Sequence, residues 1–320
     1  MPFCLAFIKW VIDMKIKIYR YLKNFGLKIF LVKAIRSKFY NNYSTFGKKL
    51  SLYNEKNIKD FLRSNVTKKI TKSISDDFCV NSKVKKNSVI WIMWWQDIES
   101  APRLVKKCIQ NIKENNPNHE IVIITNKNYK QYLHLNERIL SLFEEGSISI
   151  THLSDIIRVN LLYLYGGVWI DSTLFSTEAL SENIFNKKFY TIKTGNYTND
   201  PSHGRWTTFF IESQAGSDLM KYLKSCFNYY CKKYDIFIDY ILFDYFIEIG
   251  YEDNKNIKRM IDDVPINNVD TFKLNLYFSK GVENYNFKNS KTFLYKLSYK
   301  ENYVRKSNNR QTLYYKIFGD

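Results

Sequence analysis

The chain has 320 residues, 45% of them hydrophobic and 17% aromatic, a composition that supports a large core and excludes disorder over most of its length. Its net charge of +18 is uneven: residues 1–90 carry 20 Lys and Arg against 5 Asp and Glu, whereas residues 91–320 carry 29 against 26. The five cysteines (Cys4, Cys79, Cys108, Cys226, Cys231) have no CxxC spacing, and the four histidines are scattered, which argues against a disulfide framework, a zinc ribbon or an HExxH hydrolase and fits a reducing compartment.

Residues 1–40 interleave Trp10, Ile12, Ile16, Ile18, Leu22, Phe25, Leu27, Phe30 and Leu31 with nine basic residues. The longest charge-free run, the stretch before Lys9, is far shorter than the roughly 20 residues that span a bilayer. This pattern predicts an interfacial amphipathic helix, or two broken near Gly26, suited to an anionic membrane surface; packing of the same helices on the folded domain is the competing reading. A secretory signal is disfavoured, because the apolar stretch precedes the charges and no small-residue cleavage site follows. Residues 41–87 read as a polar, lysine-rich linker with modest helices, so the division is an N-terminal extension, 1–87, and a folded domain, 88–320.

From Ser88 the pattern changes. Ser88 to Trp95 is a continuous β-favouring apolar run, the pattern of a central strand in a mostly parallel sheet. Pro102 opens a helix to about Asn115, residues 119–125 form a second strand, and a loop and helix follow to Glu145. This alternation predicts a doubly wound α/β core. Further on, Phe189–Ile192 and Thr207–Glu212 read as strands, Ser217–Lys233 and Phe237–Ile249 as helices, and Thr292–Tyr299 as a late strand. The polar loop between them, with Asn196, His203, Gly204, Arg205 and Trp206, reads equally as a flap over a ligand or as solvated surface.

Residues 151–173, THLSDIIRVNLLYLYGGVWIDST, carry the chemistry. Thr151 or Ser154 can cap a helix, and Gly166 and Gly167 end it. Val168 to Ile170 then form a buried strand that delivers Asp171 at its carboxyl end, where open α/β sheets bind ligands. Asp155 and Arg158, three apart, share a helical face. Asp239 and Asp244 lie in the apolar 237–249 segment but five apart and so on different faces; a carboxylate in so apolar a helix needs a partner, and Asp244 is the better candidate for a site.

The order S-D-x-x-R followed by L-x-x-Y-G-G-x-W-x-D resembles the sugar-binding core of glycosyltransferases related to glycosyltransferase family 32, and more narrowly that of bacterial capsular polysaccharide synthesis proteins. The resemblance covers roughly residues 88–300 and is most specific in 88–117 and 151–173. It implies a GT-A-type fold: Rossmann-like, with a mostly parallel central sheet flanked by helices, here with a basic helical extension. It also implies retaining transfer of a hexose from a nucleotide sugar, with a uridine diphosphate sugar the expected donor, to a growing, lipid-linked surface glycan at the cytoplasmic face of the membrane. By the same resemblance Trp94 stacks on the nucleobase, Asp155 bonds sugar hydroxyls, Arg158 lies against the sugar or the diphosphate, and Asp171 approaches ribose and sugar. Relatives usually bind Mn²⁺ or Mg²⁺ through Asp-x-Asp. Here the motif is Asp171-Ser172-Thr173, so Thr173 offers a neutral hydroxyl in place of the second carboxylate and metal dependence stays open. A non-catalytic glycan- or membrane-binding protein of the same fold is the rival reading. Nucleic acid is not an expected partner, because the basic excess avoids the folded core and no RNA or DNA module is recognisable.

Overall fold

The computed structural model describes residues 2–39, 43–70, 81–280, 287, 291–307 and 310–319, with side chains from residue 14 onward. The 71–80 stretch of the expected linker, with Cys79, lies outside it. Helix α1 (Pro2–Lys38) leaves helical geometry at Gly26, with φ 80° and ψ 163°. It presents Tyr21, Phe25 and Ile29 to the core and Ile16, Ile18, Leu27 and Leu31 to solvent.

The segment expected to be a linker with modest helices contains one helix of 21 residues, α2 (Thr45–Asn65), started by Ser44, whose side chain accepts the Gly47 amide. Its apolar stripe is thin, Ile58 and Leu62. The polar composition hides the rest of the buried face, because Asn54, Glu55 and Lys59 are themselves buried and bonded. Asn54 donates to the Tyr245 hydroxyl at 3.2 Å, and Lys59 lies 2.8 Å from both Glu55 and Glu252. Polar residues that find buried partners are read from sequence as a solvated face, and that is why this helix is underestimated.

In chain order there follow β1 (Ile90–Met93), α3 (Arg103–Asn115), β2 (Ile121–Ile124), α4 (Glu137–Glu144), α5 (Ile150–Tyr165), β3 (Gly167–Ile170), β4 (Leu174–Ser176), α6 (Glu182–Phe185), β5 (Phe189–Thr191), β6 (Phe210–Ser213), α7 (Asp218–Lys233), α8 (Leu242–Asp253), α9 (Lys255–Asp262), α10 (Leu274–Tyr277) and β7 (Leu294–Lys296). The central sheet has the order β2-β1-β3-β6-β5. Strand β1 runs parallel to β2 and β3, while β6 runs antiparallel to β3 and β5, so β6 alone opposes the common direction. Both faces are covered, as a mostly parallel sheet requires. Trp91, Met93 and Trp169 pack with side chains of α5, α7 and α8 on one face; Ile90, Ile92, Val168 and Ile170 pack with α3 and α6 on the other. This is the helix-flanked, mostly parallel α/β architecture expected of the chain.

Two local details differ from expectation. Helix α5 is capped by Ser149, in a reciprocal capping box with His152, not by Thr151 or Ser154. Helix α8 begins at Leu242 and not at Phe237, since the preceding turn is held by other partners. Ile238 gives its carbonyl to the Tyr21 hydroxyl and Lys33, and Asp239 accepts the Ile241 amide. The glycine pair is sterically required: a Cβ at Gly166 would stand 2.0 Å from Asn87 Oδ1 and one at Gly167 2.2 Å from the Val89 carbonyl, both at positive φ.

Candidate active site

Because β1 and β3 are parallel neighbours, their carboxyl ends open on the same side, and a cleft of about 820 Å³ lies there. Trp94 follows β1 and Asp171, Ser172 and Thr173 follow β3; all four line it, with Arg158 from α5. The facing wall comes from the C-terminal part of the chain, through Phe272, Asn275 and Lys296 among others.

Asp171 is the hub. Its Oδ1 accepts from Arg158 Nη2 at 3.2 Å and from Trp169 Nε1 at 2.9 Å, and its Oδ2 accepts from Lys296 Nζ at 2.7 Å. Burial would push this carboxyl up, but the Lys296 and Arg158 charges and the bonds from Lys296 and Trp169 outweigh it and hold it below the usual carboxylate range. It is the ionised carboxylate of the site.

Arg158 lies in a partly aromatic cage, its guanidinium 4.7 Å from the Trp169 ring and 5.4 Å from that of Phe243. Its Nη1 stands 3.2 Å from Asp155 Oδ1, at ion-pair distance but without hydrogen-bond geometry, so Nε and Nη1 are buried donors with no hydrogen-bond partner. A buried guanidinium with spare donors on the wall of a cleft is suited to an anionic ligand.

Asp155 and Asp244 are buried and are not among the residues that line this cleft. Burial pushes Asp155 up to about 7, against the lowering pull of Arg158 and with a further push from Asp171. Burial likewise pushes Asp244 up to about 8, with the nearby Asp200 adding to it; the 2.9 Å bond from Trp206 Nε1 opposes the shift. Asp155 therefore stands behind Arg158 as its neighbour, and Asp244 anchors Trp206. Asp239, the other carboxylate of that segment, pairs with Lys33 at 3.3 Å, away from Asp171.

The polar loop is built into the fold. Trp206 is 2% exposed. Arg36 donates to the Asn199 carbonyl at 2.6 Å, His203 lies 3.1 Å from Glu55, and Arg205 lies 2.5 Å from Glu248. The N-terminal helices thus hold the loop that backs Asp244. Trp94 sits half-buried at the cleft with its ring 5.7 Å from and nearly perpendicular to that of Tyr299, and its indole Nε1 has no hydrogen-bond partner.

Sequence reasoning missed Lys296. Only the late apolar run Thr292–Tyr299 signalled its strand, and nothing in its spacing points to Asp171. The link is tertiary: β7 pairs antiparallel with β4, with Leu174 opposite Lys296, and this register brings the ammonium back to the Asp171-Ser172-Thr173 turn. There Lys296 Nζ also donates to Thr173 Oγ1 at 2.9 Å.

A divalent cation at this strand end needs several oxygen ligands. The turn offers one carboxylate, whose two oxygens already accept from protein donors, and one hydroxyl, with an ammonium between them. Among the described residues no group of three or more His, Cys, Asp and Glu is placed to hold a metal ion. The residues present do not fit the cation that the motif's resemblance implies.

Fold and site together define an open α/β protein with a cleft at the carboxyl ends of its parallel strands, walled by Arg158, Lys296 and Asp171. The family model for capsular polysaccharide synthesis proteins matches residues 38–317, and the chain belongs to that family. Among solved structures the chain is similar to one titled PaToxG Glycosyltransferase, at 12% identity and a TM-score of 0.35, covering 68% of this chain and 87% of that one. No curated protein matches.

Proposed function

We propose that this chain is a retaining glycosyltransferase that moves a hexose from a nucleotide sugar, a uridine diphosphate sugar, to a lipid-linked acceptor of capsular or other surface polysaccharide. Membership of the capsular polysaccharide synthesis family supports the biological setting. The observation that carries the chemistry is Arg158, buried beside the ionised Asp171 with Nε and Nη1 making no hydrogen bond, in a cleft that also presents Trp94. An aromatic face for a base, a cationic wall for a diphosphate and one carboxylate for the sugar are what such a donor requires.

In the reaction the bond from the anomeric carbon to the diphosphate oxygen breaks and its electron pair leaves with the diphosphate. The acceptor hydroxyl oxygen bonds to the anomeric carbon from the same face, and its proton passes to a departing diphosphate oxygen. Arg158 binds the accumulating negative charge in a partly dry site, where such stabilisation is strongest. Asp171 faces the ring carbon that becomes positive. Asp155 is a positioning residue acting through Arg158. The apolar residues that α1 exposes among its lysines, Ile16, Ile18, Leu27 and Leu31, support docking on an anionic membrane at its cytoplasmic face. No described helix is long and apolar enough to cross a membrane.

The test is release of nucleoside diphosphate by the purified full chain from a panel of uridine, guanosine and thymidine diphosphate sugars. Release from a uridine-linked donor is expected. Neither release nor binding of any donor would overturn the proposal.

A further inference from the structure

We infer that Lys296 takes the place of a divalent cation in this cleft, and that its ammonium, with Arg158, binds the donor's diphosphate without a metal. The inference rests on the glycosyltransferase reading and deepens it. Lys296 Nζ lies between Asp171 Oδ2, at 2.7 Å, and Thr173 Oγ1, at 2.9 Å. These are the two side chains that would ligate a metal, and the ammonium already occupies the shared corner.

Charge balance supports the exchange. Two aspartates around a divalent cation sum to zero; Asp171, the neutral Thr173 and one ammonium also sum to zero. Replacing the second carboxylate by a hydroxyl removes the negative charge that a second positive charge would have to offset. A cation entering this turn would stand against Lys296 and find only one anionic ligand, a poor site for ions that prefer several oxygens.

The lysine is also held in place before any ligand arrives. Its own amide donates to the Thr271 carbonyl at 2.8 Å, and the Leu297 amide donates to the Thr173 carbonyl at 2.9 Å. The backbone carrying the ammonium is therefore bonded to the backbone carrying its partners. Lys296 Nζ lies 5.3 Å from the Phe209 ring centroid, and the side chain keeps 24% of its surface open to the cleft. Together with Arg158, whose Nε and Nη1 make no hydrogen bond, it gives the wall two cations around Asp171, while burial pushes the neighbouring Asp155 towards its neutral form, and the surplus suits a diphosphate.

The experiment is titration of uridine diphosphate into the full-length protein in EDTA and again with Mn²⁺ or Mg²⁺. Binding in EDTA with an affinity within about twofold of that with metal is expected. Lys296→Met should weaken uridine diphosphate at least tenfold while changing uridine affinity less than threefold, and Lys296→Arg should restore most of the loss. The double variant Thr173→Asp with Lys296→Met, which recreates two carboxylates without the ammonium, should bind uridine diphosphate only when Mn²⁺ is present. Loss of wild-type binding in EDTA with recovery in Mn²⁺, or unchanged affinity in Lys296→Met, would overturn the inference and leave the glycosyltransferase reading standing. The wild-type measurement decides the matter even if the variants fail to fold. Failure of the wild type to bind any nucleoside diphosphate under either condition would remove the glycosyltransferase reading, and this inference with it.

Discussion

Replacing Asp171 by Asn removes the charge that Arg158 and Lys296 share, and the structure allows its cost to be worked out. Removing one partner of a buried ion pair costs about 3–5 kcal/mol. Arg158 qualifies as buried, with 5% of its side chain exposed, whereas Asp171 and Lys296 retain 27% and 24%. Water therefore screens the Lys296 half of the interaction and reduces its share. A second relief comes from Asp155, which stands 3.2 Å from the guanidinium and is held up partly by the Asp171 charge. With that charge gone, Asp155 ionises more readily and takes over part of the pairing. The net loss should be about 2–3 kcal/mol, a fall in Tm of about 3–4 °C for a chain of this size. Urea unfolding and calorimetry at pH 7 measure both, and carboxyl-selective NMR should show Asp155 titrating below its native value of about 7. A stability change under about 0.5 kcal/mol with Asp155 unmoved would refute the hub role of Asp171.

Other outcomes follow from the same geometry. Asp244 has a folded pKa raised by burial to about 8, so the folded state holds its proton more tightly than the unfolded chain does. Its contribution to stability is complete below the unfolded value near 4 and is lost as pH rises towards 8; Asp244→Asn, which keeps an acceptor for Trp206, should flatten that part of a Tm-versus-pH curve. Gly167→Ala places a methyl 2.2 Å from the Val89 carbonyl and should cost more than 3 kcal/mol, whereas Gly26→Ala meets no atom within 4 Å and should cost only about 1–2 kcal/mol for its positive φ. Paired chemical unfolding curves check the difference. Trp94→Ala should weaken uridine diphosphate by about 5- to 100-fold, the worth of one base stacking on an aromatic ring, while leaving inorganic pyrophosphate affinity unchanged; equal losses for both would count against stacking. Deleting residues 1–13 and replacing the exposed Ile16, Ile18 and Leu27 by Gln should release the protein from anionic liposomes, as flotation would show, without altering donor binding.

The central sheet was legible because its strands are buried on both faces and written as uninterrupted apolar runs, Ile90–Met93 and Val168–Ile170. Asp171 and Arg158 were legible because both lie within one local unit whose glycine pair marks the turn. Helix α2 was not, since Asn54 and Lys59 bond to residues some 190 positions away and Glu55 pairs with the distant His203, and polarity alone does not reveal a buried partner. Long sequence separation also hid Lys296, which reaches Asp171 across 125 residues through the pairing of β4 with β7. For Asp155 and Asp244 the sequence shows a carboxylate on an apolar helix but not its neighbours, Arg158 and Trp206, of which Arg158 is three residues away and Trp206 is 38.

The most direct measurement is a crystal structure of the protein soaked with a uridine diphosphate sugar in EDTA. The account predicts diphosphate oxygens within hydrogen-bonding distance of Lys296 Nζ and Arg158, the base against Trp94 and the sugar beside Asp171. A donor bound elsewhere, or one seated here only once Mn²⁺ displaces the Lys296 ammonium, would contradict it.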